Sequence, residues 1–388
     1  MLEYQRQRYQ DKLDGKVEHG YIPFEEMCSR LLLLKAENPW LQEVNAQSLQ
    51  QTIRDLDTAF KRFFAGKAGY PTEKKRGRGD GFRVPAKCMV SVDFRHVYIS
   101  KVGWIRCCGL RPDKLQDATG ASTFLSVQAV TVKAVADHFE AAVLFRVPEP
   151  PVVVHSRLGS SCGLDIGIAK PIALADDEGD NTTFGTQVRD RLRKHDLYVK
   201  RLQRKLARQQ PKSASRQRTK NKLSRAYHHA ANVRKDFNHQ VSNYLAKTYE
   251  TVVGEALLLR NMTASVAGTV EEPGRNVRQK SGLSRELLRT GSGQLFRFLE
   301  YKCKREGGEL IRVDPAYSSQ ECRICHHVDK NNRKNQAVFK CTSCSHAENA
   351  DYHAAGVIRQ RGLAIQKRRE LAQVEGASRP LKPKPQGL

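Results

Sequence analysis

The sequence predicts a multidomain protein of mixed α/β and α+β class, and three observations support this prediction. Residues 1–66 carry apolar side chains at helical spacing. Between residues 82 and 150, short runs of β-branched and aromatic residues alternate with polar ones, as in a small antiparallel sheet or barrel. Beyond residue 155, strand-like runs alternate with long helical segments, and a motif of four cysteines follows them.

Composition limits the classes of partner. The chain has 388 residues and a formal net charge of +26, so its natural partner is a polyanion. No apolar run approaches the roughly 20 residues of a bilayer span, and the start MLEYQRQRYQ is polar, so we expect no membrane association. The six cysteines outside the four-cysteine motif are scattered, which suits a reducing cytoplasm better than a disulfide framework.

In the first half of the chain, the segment 45–64 predicts a helix with one buried face. Leu49, Ile53, Leu56, Ala59, Phe60 and Phe63 recur there at steps of three and four residues. The next segment, 66–80, combines Pro71 with four cations and predicts an irregular loop that could contact phosphates, namely at Lys74, Lys75, Arg76 and Arg78. Short strands are then expected at 90–94, 97–99, 104–107, 125–132 and 139–147.

In the second half, Pro148, Pro150 and Pro151 predict a domain boundary. The segment 189–225 is rich in Lys and Arg and is interrupted by Pro211, and 228–249 predicts a further helix. Four cations at i, i+3, i+4 and i+7 would share one helix face and predict a nucleic-acid-binding stripe: Arg201, Arg204, Lys205 and Arg208. A solvated helix face is the alternative. From residue 366 the basic, proline-containing composition predicts a disordered tail.

Two Cys-x-x-Cys pairs predict a metal site. Fifteen residues separate Cys322/Cys325 from Cys341/Cys344, which is a spacing typical of one structural Zn²⁺ with four thiolate ligands. Two disulfides or four unrelated core cysteines are the alternatives. Three nearby histidines could substitute as ligands, but a complete cysteine set makes them more typical of solvated loop residues: His326, His327 and His346.

Three acidic residues stand in separate segments that read as strand or helix. Asp165 alternates with apolar neighbours and would point away from the apolar side of a strand, although a solvated or capping role is also open. Glu255 interrupts an apolar run, where an isolated carboxylate needs neutralisation or a cation. Asp351 follows the second cysteine pair, where it could also cap a helix. Together they are the oxygen ligands that Mg²⁺ or Mn²⁺ requires for phosphodiester hydrolysis.

Three segments resemble the TnpB family of transposon-encoded RNA-guided DNA nucleases, which are related to type V CRISPR effectors. They are GLDIGIAKPIAL (163–174), HHAANVRKDFNHQVSNYLAKTYETVVGEALLLRNM (228–262) and the stretch from SGLSRELLRTGSGQLF through the cysteines to ADYHAAGVI (281–358). The resemblance implies a RuvC-type RNase H-like domain with Asp165, Glu255 and Asp351 as catalytic metal ligands. It also implies a guide RNA derived from the transposon end, a double-stranded DNA target with a short flanking motif, and a prokaryotic, nucleoid-associated location.

On this resemblance we expect six segments. They are a helical recognition region (1–66), a wedge-like β-barrel domain (67–155), a RuvC-like core with basic helices at about 189–250 (156–317), a zinc-binding insertion (318–348), the last nuclease segment (349–365) and the tail (366–388). The family pattern has a further strand and helix ahead of LEYQRQRYQDKL. A genuine absence would leave the barrel short of a strand, and a misassigned start codon would explain the same observation.

Several positions depart from the family pattern without removing an expected ligand. They are Ala256, where Asp is usual, His353 and Val357, where Asn is common, and His326 and Ser345, where glycines often follow each cysteine pair. Two other functions stay open at this point. One is a nuclease-inactive, RNA-guided DNA-binding repressor, against which the retention of all three acids argues. The other is a transposase that joins DNA strands itself, which would need no bound RNA.

Overall fold

A computed structural model of the chain describes residues 1–77, 79–110, 126–148, 153–257, 263 and 275–377, with side chains to residue 372. The chain forms two compact units, Met1–Pro150 and Pro151–Leu388. No helix in these ranges is long and apolar enough to cross a membrane.

The first unit begins with helices. They are α1 (Leu2–Leu13), α2 (Phe24–Glu37), a 3₁₀ helix (Pro39–Gln42) and α3 (Ala46–Phe64). Asn45 caps α3 by accepting a hydrogen bond from the Ser48 amide at 3.1 Å. The predicted apolar face of α3 is buried at Ile53 and Phe60, and Ile53 packs against Met27 of α2. The cations Lys74, Lys75 and Arg76 are exposed in the irregular segment beyond α3, and Arg78 lies outside the described residues.

Two antiparallel sheets complete the first unit. One has the order β1-β5-β6, from β1 (Gly81–Val84), β5 (Ser126–Val135) and β6 (His138–Arg146). The other is the meander β2 (Cys88–Val90), β3 (His96–Ile99) and β4 (Gly103–Arg106). The two share a core that contains Val84, Cys88, Val97, Ile99 and Val130. The prediction of a strand at 90–94 is wrong, because β2 ends at Val90 and Phe94 lies in the following turn with φ 55°.

The second unit is built on a five-stranded sheet of order β11-β10-β7-β8-β9. The strands are β7 (Ser161–Asp165), β8 (Ile172–Asp176), β9 (Asn181–Phe184), β10 (Thr251–Glu255) and β11 (Glu309–Val313). β7, β10 and β11 run parallel, whereas β8 is antiparallel to β7 and β9. The carboxyl ends of β7 and β10 therefore lie side by side.

Helices cover both faces of this sheet. They are α4 (Thr186–Arg208), α5 (Ala214–Thr248), α6 (Val277–Thr290), α7 (Ser292–Arg305) and α8 (Ala350–Ala377). Leu164 and Val252 pack with Leu245 of α5 and Leu299 of α7 on one face. On the other face, Val253 packs with Ile358 of α8. Because strand side chains alternate, Asp165 and Glu255 share the face that α8 covers.

Two helix predictions differ from the structure. The segment 228–249 is not a separate helix, since α5 runs unbroken from Ala214 to Thr248 and only the segment around Pro211 interrupts the basic stretch. The tail predicted from residue 366 is helical as far as Ala377. The basic composition predicts disorder, but Lys, Arg, Gln, Glu and Leu are good helix formers, and Arg369 pairs with Glu309 at 3.4 Å. Residues 378–388 lie outside the described ranges.

Candidate functional site

The three predicted acids converge from different elements. Asp165 is the last residue of β7 and Glu255 the last of β10, with Leu164 and Gly254 as paired neighbours in the parallel register. Asp351 lies in the first turn of α8, the helix that packs on β7, β8 and β10. The sheet and one helix N-terminus thus bring together carboxylates that are 90 and 96 residues apart in sequence.

Gly163 permits the close packing that places Asp351. A Cβ atom built on Gly163 would lie 2.0 Å from the carbonyl oxygen of Ala355, which is a distance that no side chain tolerates. On the opposite face, a Cβ atom on Gly254 would lie 2.3 Å from the ring of Phe296. The two glycines, one or two residues before the acids, therefore let α8 and α7 approach β7 and β10 closely.

The electrostatics of the acids depart from those of exposed carboxylates. Burial, together with the neighbouring charges of Glu255 and Asp351, raises the pKa of Asp165 to about 7. Burial also raises the pKa of Glu255, although the Ser318 hydroxyl donates to its Oε1 at 2.6 Å. A cluster of this kind favours a bound cation or proton over free negative charge.

Two cations that the sequence did not single out reach the same cluster. Lys170, in the connection from β7 to β8, has its Nζ 3.7 Å from Asp351 Oδ2 and 3.2 Å from Asn349 Oδ1. Arg333 places a guanidinium nitrogen 3.8 Å from Asp351 Oδ1. Its positive charge partly offsets the rise in the pKa of Asp165. The sequence around Lys170 and Arg333 gives no local signal that either residue lies at the site. Both reach Asp351 only because of the fold.

The four predicted cysteines form a second cluster. All four sulfur atoms lie within 4.8 Å of one another, with Cys322 Sγ to Cys344 Sγ at 3.6 Å and Cys325 Sγ to Cys341 Sγ at 3.5 Å. Thiolates around one tetrahedral zinc, at about 2.3 Å each, would be about 3.8 Å apart. The amides of Cys344 and Ser343 donate to Cys341 Sγ at 3.4 Å and lower the pKa of this thiol to about 6. The set therefore fits zinc in ligand type and in spacing.

The backbone of the turn after each cysteine pair shows why glycine is usual there in the family, whereas this chain has His326 and Ser345. His326 and Ser345 have φ of 58° and 60°, in the left-handed region where glycine is the ordinary residue. His326 and His327 stay outside the cysteine cluster, whereas His346 lies within 4.8 Å of Glu348 and the buried His353. The His353 ring stacks on Phe339 at 3.5 Å and so fixes the cysteine loops to α8.

Asn332 joins the two cysteine loops. Its Nδ2 donates to the carbonyl oxygens of Gln320 at 2.8 Å and His327 at 3.2 Å, and its Oδ1 accepts from the amide of Thr342 at 2.8 Å. The side chain is fully buried. Because Asn332 precedes Arg333, this bonding also sets the position of the cation beside Asp351.

The predicted basic stripe lies on α4. Its four side chains are exposed and line one open groove, namely Arg201, Arg204, Lys205 and Arg208. Leu202, between them in sequence, is buried against Ala226 of α5. Tyr198 lies 5.4 Å below the guanidinium of Arg201. The helix thus buries its apolar side and presents its cations to solvent.

Comparison with known proteins shows which families and which fold this chain resembles. Residues 293–358 match the Cas12f1-like TNB domain, and residues 145–266 match the OrfB_IS605 family, described as "Probable transposase". In fold, the chain is similar to Cas12f1 in the cryo-EM structure of a Cas12f1-sgRNA-target DNA complex, with a TM-score of 0.52, 15% identity, and coverage of 81% of this chain and 70% of that one.

One sequence relative identifies the family, and a second has the same description. The chain is 36% identical over 367 residues to "Putative RNA-guided DNA endonuclease InsQ" of Escherichia coli K12, covering 94% of this chain and 86% of InsQ. It is 27% identical over 331 residues to a relative of the same description from Streptomyces pristinaespiralis, covering 84% and 74%. The protein belongs to the TnpB family, which confirms the resemblance drawn from its motifs.

Proposed function

We propose that this protein is an RNA-guided, divalent-metal-dependent DNA endonuclease of a mobile element, with a RuvC-type, RNase H-like core. Its relatives over most of the chain are named RNA-guided DNA endonucleases. The observation that carries the proposal is the convergence of Asp165, Glu255 and Asp351 on one face of the sheet, with the pKa of Asp165 raised to about 7. The sheet order, in which β8 alone opposes the other strands, supports the RNase H-like assignment.

The donor set fits hard cations. Carboxylate oxygens are the ligands that Mg²⁺ and Mn²⁺ prefer, and repulsion among three acids is relieved when a dication binds. In the described part of the chain, the carboxylate oxygens of the three acids do not all lie within 4.8 Å of one another, whereas the sulfur atoms of the four cysteines do. We propose that Asp165, Glu255 and Asp351 hold the metal, which when bound activates a water and stabilises the leaving oxygen in phosphodiester hydrolysis.

The protein's own groups have separate roles around this centre. Ser318 fixes the Glu255 carboxylate through its 2.6 Å hydrogen bond. Lys170 and Arg333, which face Asp351, are placed to offset negative charge that the scissile phosphate brings to the acids.

The four-cysteine cluster holds one structural Zn²⁺ and, with the TNB-like segment, loads the target strand. The first unit, including a barrel built from its two sheets, holds guide RNA and reads the flanking motif.

The basic groove on α4 supplies a surface for a phosphate backbone. Arg201, Arg204, Lys205 and Arg208 are exposed along one helix face, and the loop cations Lys74, Lys75 and Arg76 offer a second contact in the first unit. Sequence choice would be delegated to guide base pairing, with the protein supplying charge and duplex shape.

The test is guided cleavage by purified protein. Asp165→Ala, Glu255→Ala and Asp351→Ala should each abolish cleavage in Mg²⁺ while leaving guided DNA binding largely intact. Asp236→Ala is the matched control, since Asp236 is exposed on α5 and pairs with Gln240 of the same helix. Near-normal cleavage by one of the three variants would remove that acid from the site. Binding without cleavage by the unaltered protein would favour the repressor, and strand joining without RNA would favour the transposase.

A further inference from the structure

The outer face of the meander β2-β3-β4 carries a row of large, partly exposed side chains. In the strand register, Met89 pairs with Tyr98 and Tyr98 pairs with Trp104. Because directly paired residues point to the same side of a sheet, the three lie side by side across all three strands. Met89 is 51% exposed and Trp104 is 53% exposed. The ring centroids of Tyr98 and Trp104 are 5.5 Å apart.

This row is not part of the protein core. The residues that alternate with it, Val97 and Ile99 on β3, are buried in the core that the two sheets share. On β2 and β3 the meander is therefore two-faced: one side packs against the other sheet, and the opposite side presents Met89 and Tyr98 to solvent beside the exposed Trp104 of β4. Met89, Tyr98 and Trp104 form a contiguous apolar patch, and contiguous exposed patches of this kind are typical of surfaces that bind a partner.

Positive charge predominates in the segment that carries the row. His96 and Arg106 form the next pair on the same face, two residues along each strand from Tyr98 and Trp104. The segment 87–108 contains four Lys and Arg residues, Lys87, Arg95, Lys101 and Arg106, all exposed, against the single acid Asp93. Asp93 accepts from the Ser91 hydroxyl at 2.5 Å and from the Arg95 amide at 3.0 Å, so its carboxylate is engaged within its own turn.

We infer that Tyr98 and Trp104 form a stacking platform for unpaired bases of an RNA strand whose phosphates contact the flanking cations. Flat aromatic rings on an open sheet, bordered by Lys and Arg, are the surface on which single-stranded nucleic acids stack their bases. A DNA duplex offers only base edges in its grooves and cannot stack on this face. Unpaired loops and ends of a folded RNA present free base faces. This inference rests on the proposed function for its RNA partner and assigns that partner a base-contacting site.

Trp104 can serve as an intrinsic fluorescent probe of RNA binding. Trp40 and Trp104 are its two tryptophans, so Trp40→Phe leaves Trp104 as the single tryptophan reporter. The full-length variant, freed of copurifying nucleic acid in high salt, is titrated with oligoadenylate RNA, with an abasic RNA of equal length and charge, and with oligodeoxyadenylate. Stacking predicts quenching of Trp104 fluorescence by oligoadenylate and little by the abasic strand. Equal responses to these two strands would overturn the platform, and tighter binding of the DNA strand would overturn its assignment to RNA.

Binding by substituted proteins gives an independent measurement. Trp104→Ala should weaken oligoadenylate binding about 5- to 150-fold, which at 1.4 kcal/mol per tenfold is the 1–3 kcal/mol typical of one base–aromatic stack. Trp104→Phe should retain most of the affinity, which separates loss of the ring from loss of the fold. Tyr244→Ala is the matched control, because Tyr244 is an aromatic residue 49% exposed on α5 of the second unit, outside the sheets proposed to hold RNA, and it should bind oligoadenylate as the unaltered protein does. An affinity for Trp104→Ala equal to that of the unaltered protein would overturn the inference.

Guided cleavage distinguishes failure of this inference from failure of the proposed function. If the unaltered protein quenches with RNA but never cleaves guided DNA, the platform stands and the proposed nuclease fails. If it cleaves, and Trp104→Ala cleaves equally well at limiting RNA concentration, the nuclease stands and the platform fails.

Discussion

The packing of α8 on β7 through Gly163 gives a sharp test of how the acids are held. In Gly163→Ala the added Cβ would lie 2.0 Å from the Ala355 carbonyl oxygen and 2.8 Å from the Arg359 amide. Ordinary contact requires at least 3.4 Å, so α8 must move by more than 1 Å at the turn that follows Asp351. All the closest atoms are backbone or Cβ, which cannot rotate out of the way.

Two losses are expected from this movement. Overpacking of a tight interface costs about 1–3 kcal/mol, which for a unit of this size lowers Tm by about 2–4 °C per kcal/mol. A displacement of about 1 Å between reacting groups can lower a rate about 100-fold. We therefore expect Gly163→Ala to cleave about 100-fold more slowly at 25 °C, while it is still folded and still binds guided DNA.

The assay compares Gly163→Ala with a matched glycine. Gly282 lies within α6, and a Cβ atom added there meets no heavy atom within 4 Å. Gly282→Ala should raise stability by about 0.5–1 kcal/mol, because alanine is the better helix former, and should leave the cleavage rate unchanged. Calorimetry and single-turnover cleavage are measured on both variants. Wild-type Tm and cleavage in Gly163→Ala would refute the view that close helix packing positions Asp351.

Four further outcomes are expected. Asp165 ionises near pH 3.8 when unfolded and near 7 when folded, so it binds more protons in the folded state and metal-free stability falls as pH rises between these values. In EDTA, the gain in stability from Asp165→Asn should thus grow from pH 4 to pH 7, by at most about 4 kcal/mol; a gain independent of pH would contradict the raised pKa. Metal analysis should find one zinc per chain, lost in Cys341→Ser with Cys344→Ser, and unchanged zinc would remove these ligands. Replacing Arg201, Arg204, Lys205 and Arg208 by Gln should weaken RNA binding and flatten its dependence on salt by roughly one unit of slope per lost contact, whereas an unchanged slope would leave α4 a solvated face. Ser345→Gly should stabilise the cysteine turn by about 0.5–1 kcal/mol, because the left-handed conformation costs a non-glycine residue about 1–2 kcal/mol and glycine loses part of that gain in the unfolded chain; a lower Tm would contradict the strain at φ 60°.

The sequence predicted what depends on local pattern. The alternation around Leu164 was enough to predict that Leu164 and Asp165 point to opposite faces of the strand, because the side chains of a strand follow a strict period of two; the sequence did not predict that α8 covers the Asp165 face with a second apolar core. The spacing of Cys322, Cys325, Cys341 and Cys344 was enough to predict their clustering, since two short turns bring four sulfur atoms together with little help from the rest of the chain. In both cases few residues separate the groups that must be placed.

Features that depend on long-range packing were missed or misread. Lys170 and Arg333 reach Asp351 from 181 and 18 residues away, and only the sheet order and the cysteine loops bring them there. The helical course of residues 366–377 was read as disorder because its charge pattern resembles that of a tail. The turn at Phe94 was read as strand because its φ of 55° is set by backbone bonding between Ser91 and His96, not by residue type.

The position of Arg333 connects the four-cysteine cluster to the acidic cluster physically. Arg333 follows Asn332, whose side chain is bonded to backbone groups of both cysteine loops, and its guanidinium lies 3.8 Å from Asp351. Loss of zinc would free the cysteine loops, because structural zinc supplies much of the folding energy of such a small segment. Asn332 would lose its buried partners, and Arg333 would leave the acids although no acid had changed. We therefore expect a zinc-free protein with an intact sheet to lose cleavage although Asp165 and Glu255 keep their places at the ends of β7 and β10, and we propose that the cysteine cluster affects cleavage through the position of Arg333.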